Sequence, residues 1–232
     1  MKIPLKNDII DFIFPKICIL SDIKLTPNNS NQYIDDRFLN SIQRVNINDL
    51  LELKLKLKSD YSYSFFRFQE DSDTQKLIHY LKFEGMKRLG YFLGKYFANE
   101  LINKTEFKNA DIFKIITPVP LHKIKFRERG YNQSDYICRG MNEVLNLKYI
   151  EDLIIRKKNT TTQTHLSIHE RELNVKNAFI KNLDHKNEFR DSNIILIDDV
   201  ITTGATLNEV IKVLRKSGVN KIMCLSLAMA VR

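Results

Sequence analysis

The sequence predicts a doubly wound α/β domain with a mostly parallel sheet and a small N-terminal extension. Three observations carry that expectation. Continuous apolar runs at residues 112–117, 194–197 and 221–227 alternate with stretches of helical period, the pattern of strands buried on both faces. At 232 residues the chain is long enough for one sizeable domain plus an appendage, but not for two full domains. Two acidic residues, Asp198 and Asp199, close the most apolar run, at the carboxyl end of a strand, where open α/β sheets place ligands.

The extension is expected over residues 1–60 and the main domain over 61–232. Within the extension, residues 26–31 (TPNNSN) form a turn cluster. Residues 49–58 alternate, with Leu51, Leu53, Leu55 and Leu57 against Glu52, Lys54, Lys56 and Lys58, which reads as a half-buried strand. It is expected to pair as a hairpin with the β-prone run 61–68 (YSYSFFRF) across Ser59 and Asp60. Phe65, Phe66 and Phe68 in that run resemble a base-stacking platform, although strand packing accounts for them more simply.

From about Ser72 the period becomes helical: Leu77, Ile78 and Leu81, then Leu89, Phe92, Leu93, Tyr96 and Phe97. Asp71, Ser72 or Asp73 supplies the cap, and Gly85 marks a break between two helices. His79, on the apolar face, reads as a packing histidine. A strand follows at 112–117, a helix from near Asn132, a short apolar stretch at 153–155 and a polar segment from 157 to about 176. Strand 194–197, helix 205–216 and strand 221–227 end the pattern, with no internal repeat.

Composition excludes several classes. Hydrophobic residues at 43% and charged residues at 28% are ordinary globular usage, so disordered and fibrous classes are excluded. No stretch approaches the roughly 20 apolar residues of a membrane span. The early run 9–20 is broken by Asp11, Pro15 and Lys16 and makes a poor secretory core, so a cytoplasmic location is expected. Cys18, Cys138 and Cys224 are too scattered for a disulfide framework or a metal cluster. The net charge of +9 suits polyanions, whether nucleic acid, anionic lipid or a multiply phosphorylated small molecule, but Lys- and Asn-rich coding bias would produce it too.

The chemistry concentrates at residues 194–206 (IILIDDVITTGAT). Two adjacent carboxylates at an apolar strand end are costly to desolvate unless something pairs with them; ribose hydroxyls and a divalent ion are suitable partners. Thr202, Thr203, Gly204, Ala205 and Thr206 then open a helix whose inner face is Leu207, Val210, Ile211 and Leu214. Backbone N–H groups, three hydroxyls and the helix dipole make an anion site suited to phosphate, with Gly204 allowing close backbone approach. The acidic strand of a P-loop NTPase is the competing reading. It requires G-x-x-x-x-G-K-[ST], and Gly85 to Gly90 has that spacing but is followed by Tyr91. A purely structural turn leaves two acids beside three hydroxyls and a glycine unexplained.

Those residues resemble the phosphoribosyl-pyrophosphate (PRPP) signature of type I phosphoribosyltransferases. Three further segments narrow the resemblance to the ComF family: 77–85 (LIHYLKFEG), 118–133 (PVPLHKIKFRERGYNQ) and 160–179, with Gln163, Leu166, Ser167, Glu170, Arg171 and Asn174. It spans about residues 60–230. The resemblance implies that Asp198 and Asp199 bind the ribose hydroxyls, with Mg²⁺ arriving on PRPP, and that residues 202–206 bind the 5′-phosphate. Val119, Pro120 and Leu121 would form the pyrophosphate loop, and residues 157–174 a flexible loop closing over ligand. The implied activity is phosphoribosyl transfer, with no residue standing out as a base for the acceptor. The alternative it implies is a non-catalytic PRPP-fold protein of natural competence, handling incoming single-stranded DNA or meeting other competence proteins.

Lys123, Lys125, Arg127 and Arg129 lie between the pyrophosphate loop and the Gly130 turn. Arg127 and Arg129 are the stronger candidates for contacting pyrophosphate or nucleic acid, against a solvated basic loop. His165 and His169 have metal-ligand spacing, but nothing nearby completes a site. The sequence also departs from the family. ComF-like proteins commonly begin with a zinc ribbon of two C-x-x-C pairs, whereas here Cys18 is followed at the partner position by Ser21. One thiolate does not hold a structural Zn²⁺, so no zinc is expected.

Overall fold

The computed structural model describes residues 14–103, 110–158 and 168–231. Its contacts divide the chain into two compact units, residues 1–43 and 44–232. The boundary therefore falls well before residue 60, because the segment expected to close the extension belongs to the larger unit.

In the smaller unit, Ile17 and Lys24 form an antiparallel bridge around a turn in which Asp22 has φ 56°. The Cys18 backbone N–H donates to Ile23 (2.8 Å), and the Cys18 thiol accepts from the Asp35 N–H at 3.3 Å. Burial pushes that thiol's pKa up, but hydrogen bonds from the Ser21 side chain and the backbone of Asp35, Leu20 and Ser21 outweigh it and hold the pKa below its usual value. Asn29, Asn31 and Asp36 tie the following loop to helix α1 (Asp36–Ser41).

The larger unit opens with helix α2 (Ile47–Lys56), where the alternating leucines predicted a strand. A reciprocal cap decides the matter. Asn46 accepts from the Asp49 N–H at 3.0 Å, and Asp49 accepts from the Asn46 N–H at 2.9 Å. Leu and Lys are helix formers, and Lys54 and Lys56 sit favourably at the C-terminal end. No hairpin forms: β1 (Tyr61–Phe68) pairs in parallel with the distant β7 (Lys221–Ala230). Phe65 and Phe66 are buried, Phe65 stacking on Phe97 at 4.6 Å, so they are packing residues and not a platform.

Helices α3 (Asp73–Phe83), capped by Ser72, and α4 (Lys87–Ile102) follow, broken at Gly85 as expected. His79 faces solvent, near Glu84 at 3.6 Å and the Phe83 ring at 5.0 Å, and is not the packing histidine anticipated. Next come β2 (Ile115–Pro118), α5 (Lys123–Arg129), α6 (Gln133–Leu145) and the two-residue β3 (Lys148–Tyr149). The basic segment after β2 is thus a helix of about two turns, capped by His122 and ended by Gly130, not a loop. Strands β4 (Ile154–Arg156) and β5 (Phe179–Lys181) form a separate antiparallel ribbon flanking helix α7 (Ile168–Val175). The chain ends with β6 (Asn193–Ile201), α8 (Ala205–Lys216) and β7.

The central sheet has the order β1-β7-β6-β2-β3 and every pairing is parallel. From β2 the chain steps outward to β3, whereas from β6 it steps the other way to β7. Right-handed crossovers in opposite directions put α6 and α8 on opposite faces. The strand order therefore reverses between β2 and β6, and a crevice opens at their carboxyl ends. Helices α4 and α6 cross closely. A Cβ at Gly94 would lie 2.2 Å from the Ile137 carbonyl oxygen, so this glycine serves helix packing.

Candidate functional site

Both acids and the turn after them lie at that crevice. Strand β6 continues through the acids, pairing Asp198 with Ser226 and Val200 with Ala228. Each carboxylate captures the next backbone N–H: Asp199 N–H donates to Asp198 Oδ1 (2.9 Å), and Val200 N–H to Asp199 Oδ1 (2.7 Å). The Ser134 hydroxyl, on the first turn of α6, reaches Asp198 Oδ1 at 3.2 Å. Lys82 Nζ, from the last turn of α3, lies 3.1 Å from Asp199 Oδ2.

Burial first and the Asp199 charge second push the Asp198 pKa well above the carboxylate range. The Asp199 N–H, Lys82 and Ser134 oppose that rise without cancelling it. Adjacent carboxylates sharing little water cannot both ionise cheaply, which is the condition under which a cation or a diol becomes welcome.

After β6, Thr202, Thr203 and Gly204 turn into α8. A small cleft is lined by Asp198 and residues 200–207, so all five predicted turn residues, Thr202, Thr203, Gly204, Ala205 and Thr206, share one wall with an acid. Thr203 Oγ1 accepts weakly from the Ala205 N–H at 3.4 Å. Gly204 has φ +78° and sits at the N-terminus of α8. A Cβ there would meet Leu57 Cδ2 at 2.8 Å, so the glycine answers to packing under the end of α2 as well as to the turn. Asn208 braces the same corner: its amide donates to the Lys56 carbonyl (2.9 Å) and its oxygen accepts from the Lys58 N–H (2.9 Å).

Across the crevice, Val119 N–H donates to the Ile197 carbonyl (2.8 Å), and Asn132 donates to the Val119 carbonyl (2.9 Å). These bonds fix the start of the Val119, Pro120, Leu121 loop beside the acid strand. Arg129 stacks over Phe83 at 5.4 Å and donates to Gln133 at 3.0 Å, whereas Arg127 is exposed on α5. The structure therefore separates two arginines that the sequence treated alike.

Two cations, Lys82 and Arg156, were missed. Lys82 stands in a quoted segment but was not singled out, since no pattern links α3 to β6. Burial and then the positive charges of Arg156, Arg129 and Lys82 lower the Lys125 pKa, which puts these four side chains in one electrostatic neighbourhood. Arg156, on β4, has its pKa lowered by burial, partly offset by the Asp198 charge. Of the polar segment 157–174, residues 159–167, His165 among them, lie outside the described residues, and from Ile168 the chain is the helix α7. The side chain of His169 also lies outside the description.

Residues 142–230, which include β6, its turn, α8 and β7, match the family described as phosphoribosyl transferase domain. Competence protein F of Haemophilus influenzae is 44% identical over 115 residues, 50% of each chain. DNA utilization protein YhgH of Escherichia coli K12 is 30% identical over 142 residues, 61% of each chain. Competence protein ComFC of Streptococcus pneumoniae is 30% identical over 146 residues, 63% of this chain and 59% of that one. The aligned stretches thus span half to about three-fifths of these relatives' own length. Among solved structures, the glutamine PRPP amidotransferase of B. subtilis aligns with TM-score 0.42 and 17% identity over 65% of this chain and 30% of that one. The hypoxanthine phosphoribosyltransferase of Trypanosoma cruzi aligns with TM-score 0.37 and 12% identity over 62% and 67%. The chain is thus similar to the ComF-type competence proteins over half to about three-fifths of their length, and its residues 142–230 match the phosphoribosyl transferase domain.

Proposed function

We propose that this chain binds Mg²⁺–PRPP and transfers its phosphoribosyl group. The observation that carries the reading is the joint placement of two carboxylates and a threonine-glycine turn at the switch point between β2 and β6. In this reading Asp198 and Asp199 hold the ribose hydroxyls, and Thr202, Thr203, Gly204, Ala205 and Thr206 cradle the 5′-phosphate with backbone N–H groups at the start of α8. Val119, Pro120 and Leu121 border the pyrophosphate, with Arg129 contributing charge. These residues act by orienting the sugar and stabilising charge that develops at the leaving group.

The donor set fits magnesium. No group of three or more candidate metal-ligating side chains occurs among the described residues, and Mg²⁺ is ordinarily held by one or two carboxylates plus substrate phosphates and water, not by a protein cage. When bound, Mg²⁺ would supply neutralisation of the diphosphate charge, with Asp198 and Asp199 as the protein's oxygen donors.

A thermal-shift titration tests the reading. A ligand at a hundredfold excess over Kd stabilises by about 2.7 kcal/mol, which for a domain of this size raises Tm by roughly 5–10 °C. Asp198→Asn and Asp199→Asn are expected to fold and lose most of the shift, and Thr203→Val part of it. A wild-type melt unmoved by saturating Mg²⁺–PRPP would remove the enzyme reading.

A second reading has its own observation. Helix α5 has no buried residue and exposes Ile124 and Phe126 among its cations, beside relatives named for competence and DNA utilization. Such a surface suits single-stranded DNA in the cytoplasm during natural competence. Binding should then weaken steeply with salt, and Arg127→Ala should flatten the log–log slope by about one unit. Salt-independent binding, or none at low salt, speaks against it. No helix among the described residues is long and apolar enough to cross a membrane.

A further inference from the structure

The acid pair already has a cation, and it comes from the chain itself. Lys82 Nζ occupies Asp199 Oδ2 at 3.1 Å, while Asp199 Oδ1 is taken by the Val200 N–H and Asp198 Oδ1 by the Asp199 N–H and Ser134. The pair is largely screened from solvent, the side chains being 24% and 14% exposed. A carboxylate in that position does not accept a divalent ion and an ammonium together, because the two cations repel at contact distance in a poorly screened site. Lysine is suited to yielding, being a compact charge on a flexible four-carbon stem. Arg129 lies 5.4 Å over the ring of Phe83, the residue after Lys82, and the charges of Lys82, Arg129 and Arg156 all act on Lys125, so an anion arriving there meets cations already gathered.

We propose that Lys82 is a resident counter-cation, paired with Asp199 in the absence of ligand and passed to the ligand's phosphate oxygens when a divalent ion takes its place at the acids. Lys82 is then a ligand-binding residue that couples cation binding to phosphate binding. The inference rests on the PRPP reading of the same site and extends it to a residue on another element.

The two roles predict opposite effects of one substitution. Lys82→Met keeps the stem and removes the charge. It is expected to tighten binding of Mn²⁺ alone, read by electron paramagnetic resonance, several-fold, because the competitor is gone. The same substitution is expected to weaken Mg²⁺–PRPP binding by calorimetry on the order of 10- to 100-fold, the worth of one charge-assisted hydrogen bond. Lys82→Arg should recover part of the PRPP affinity. Circular dichroism and the melt establish folding, and Lys82→Gln replaces Lys82→Met if the latter is unfolded. Changes of the same sign in both titrations, or no change in either, overturn the proposal, since a merely structural lysine would weaken both. Should the wild type bind Mn²⁺ but no PRPP, the transferase reading falls by itself, and an unaltered Mn²⁺ affinity in Lys82→Met then rejects the counter-cation as well.

Discussion

Gly204 and Gly130 share a backbone conformation and differ in surroundings, so together they separate strain from crowding. Both have φ +78°, the left-handed region. A Cβ at Gly130 meets nothing within 4 Å, whereas at Gly204 it meets Leu57 Cδ2 at 2.8 Å and the Lys56 carbonyl oxygen at 3.4 Å. Gly130→Ala therefore carries the conformational cost alone, about 1–2 kcal/mol. Gly204→Ala carries the same cost plus overpacking against a buried leucine, a further ~1–3 kcal/mol. At 2–4 °C per kcal/mol for a domain of this size, the expected Tm losses are roughly 2–8 °C and 4–20 °C. Urea melts give both differences, and a double-mutant cycle with Leu57→Val isolates the contact. The pair should couple favourably by roughly 0.5–3 kcal/mol, because shortening Leu57 makes room for the methyl group. If Gly204→Ala costs no more than Gly130→Ala, or the cycle shows no coupling, the end of α2 does not press on the turn at Gly204 as described.

The Asp198 pKa is raised in the folded chain, so its contribution to stability is complete below the unfolded value of 3.8 and is lost as pH rises through the folded value. Asp198→Asn should therefore stabilise the protein by about 1 kcal/mol or more above neutral pH and much less near pH 4, and equal gains at both would contradict the buried-acid account. Gly94→Ala must push apart α4 and α6 at a backbone contact and should cost at least ~3 kcal/mol by chemical denaturation; a loss under 1 kcal/mol would show that the helices separate freely. Protein purified without added metal should carry well under one zinc per chain by elemental analysis, since Cys18 has no C-x-x-C partner. A full equivalent that survives mild chelation refutes that reading.

The parallel sheet was legible because β2, β6 and β7 are continuous apolar runs, and a strand buried on both faces leaves no other mark. Asp198, Asp199 and residues 202–206 were legible because one strand end and one helix start carry them, so sequence adjacency is spatial adjacency. Residues 49–58 misled for a physical reason. Leucine on every second position satisfies a period of two, but on a helix Leu53 and Leu57 also fall together, and it is these that are buried while Leu51 and Leu55 are exposed. The deciding signal was the Asn46-x-x-Asp49 cap, written in the sequence and outweighed there by the alternation. Lys82 and Arg156 were illegible as site residues because tertiary packing alone carries α3 and β4 to the acids.

Strand β7 lies between β1 and β6, and Ser226 meets Ser64 across 162 residues of chain. Until β7 is in place, β1 has no neighbour in the sheet and β6 presents a bare hydrogen-bonding edge, both apolar. Such edges invite pairing with other molecules, and loop closure over so long a span is slow. On the ribosome, the acid-bearing strand therefore emerges before the strand that will shield it. Folding yield should therefore depend on β7 docking before the open edges of β1 and β6 meet other molecules.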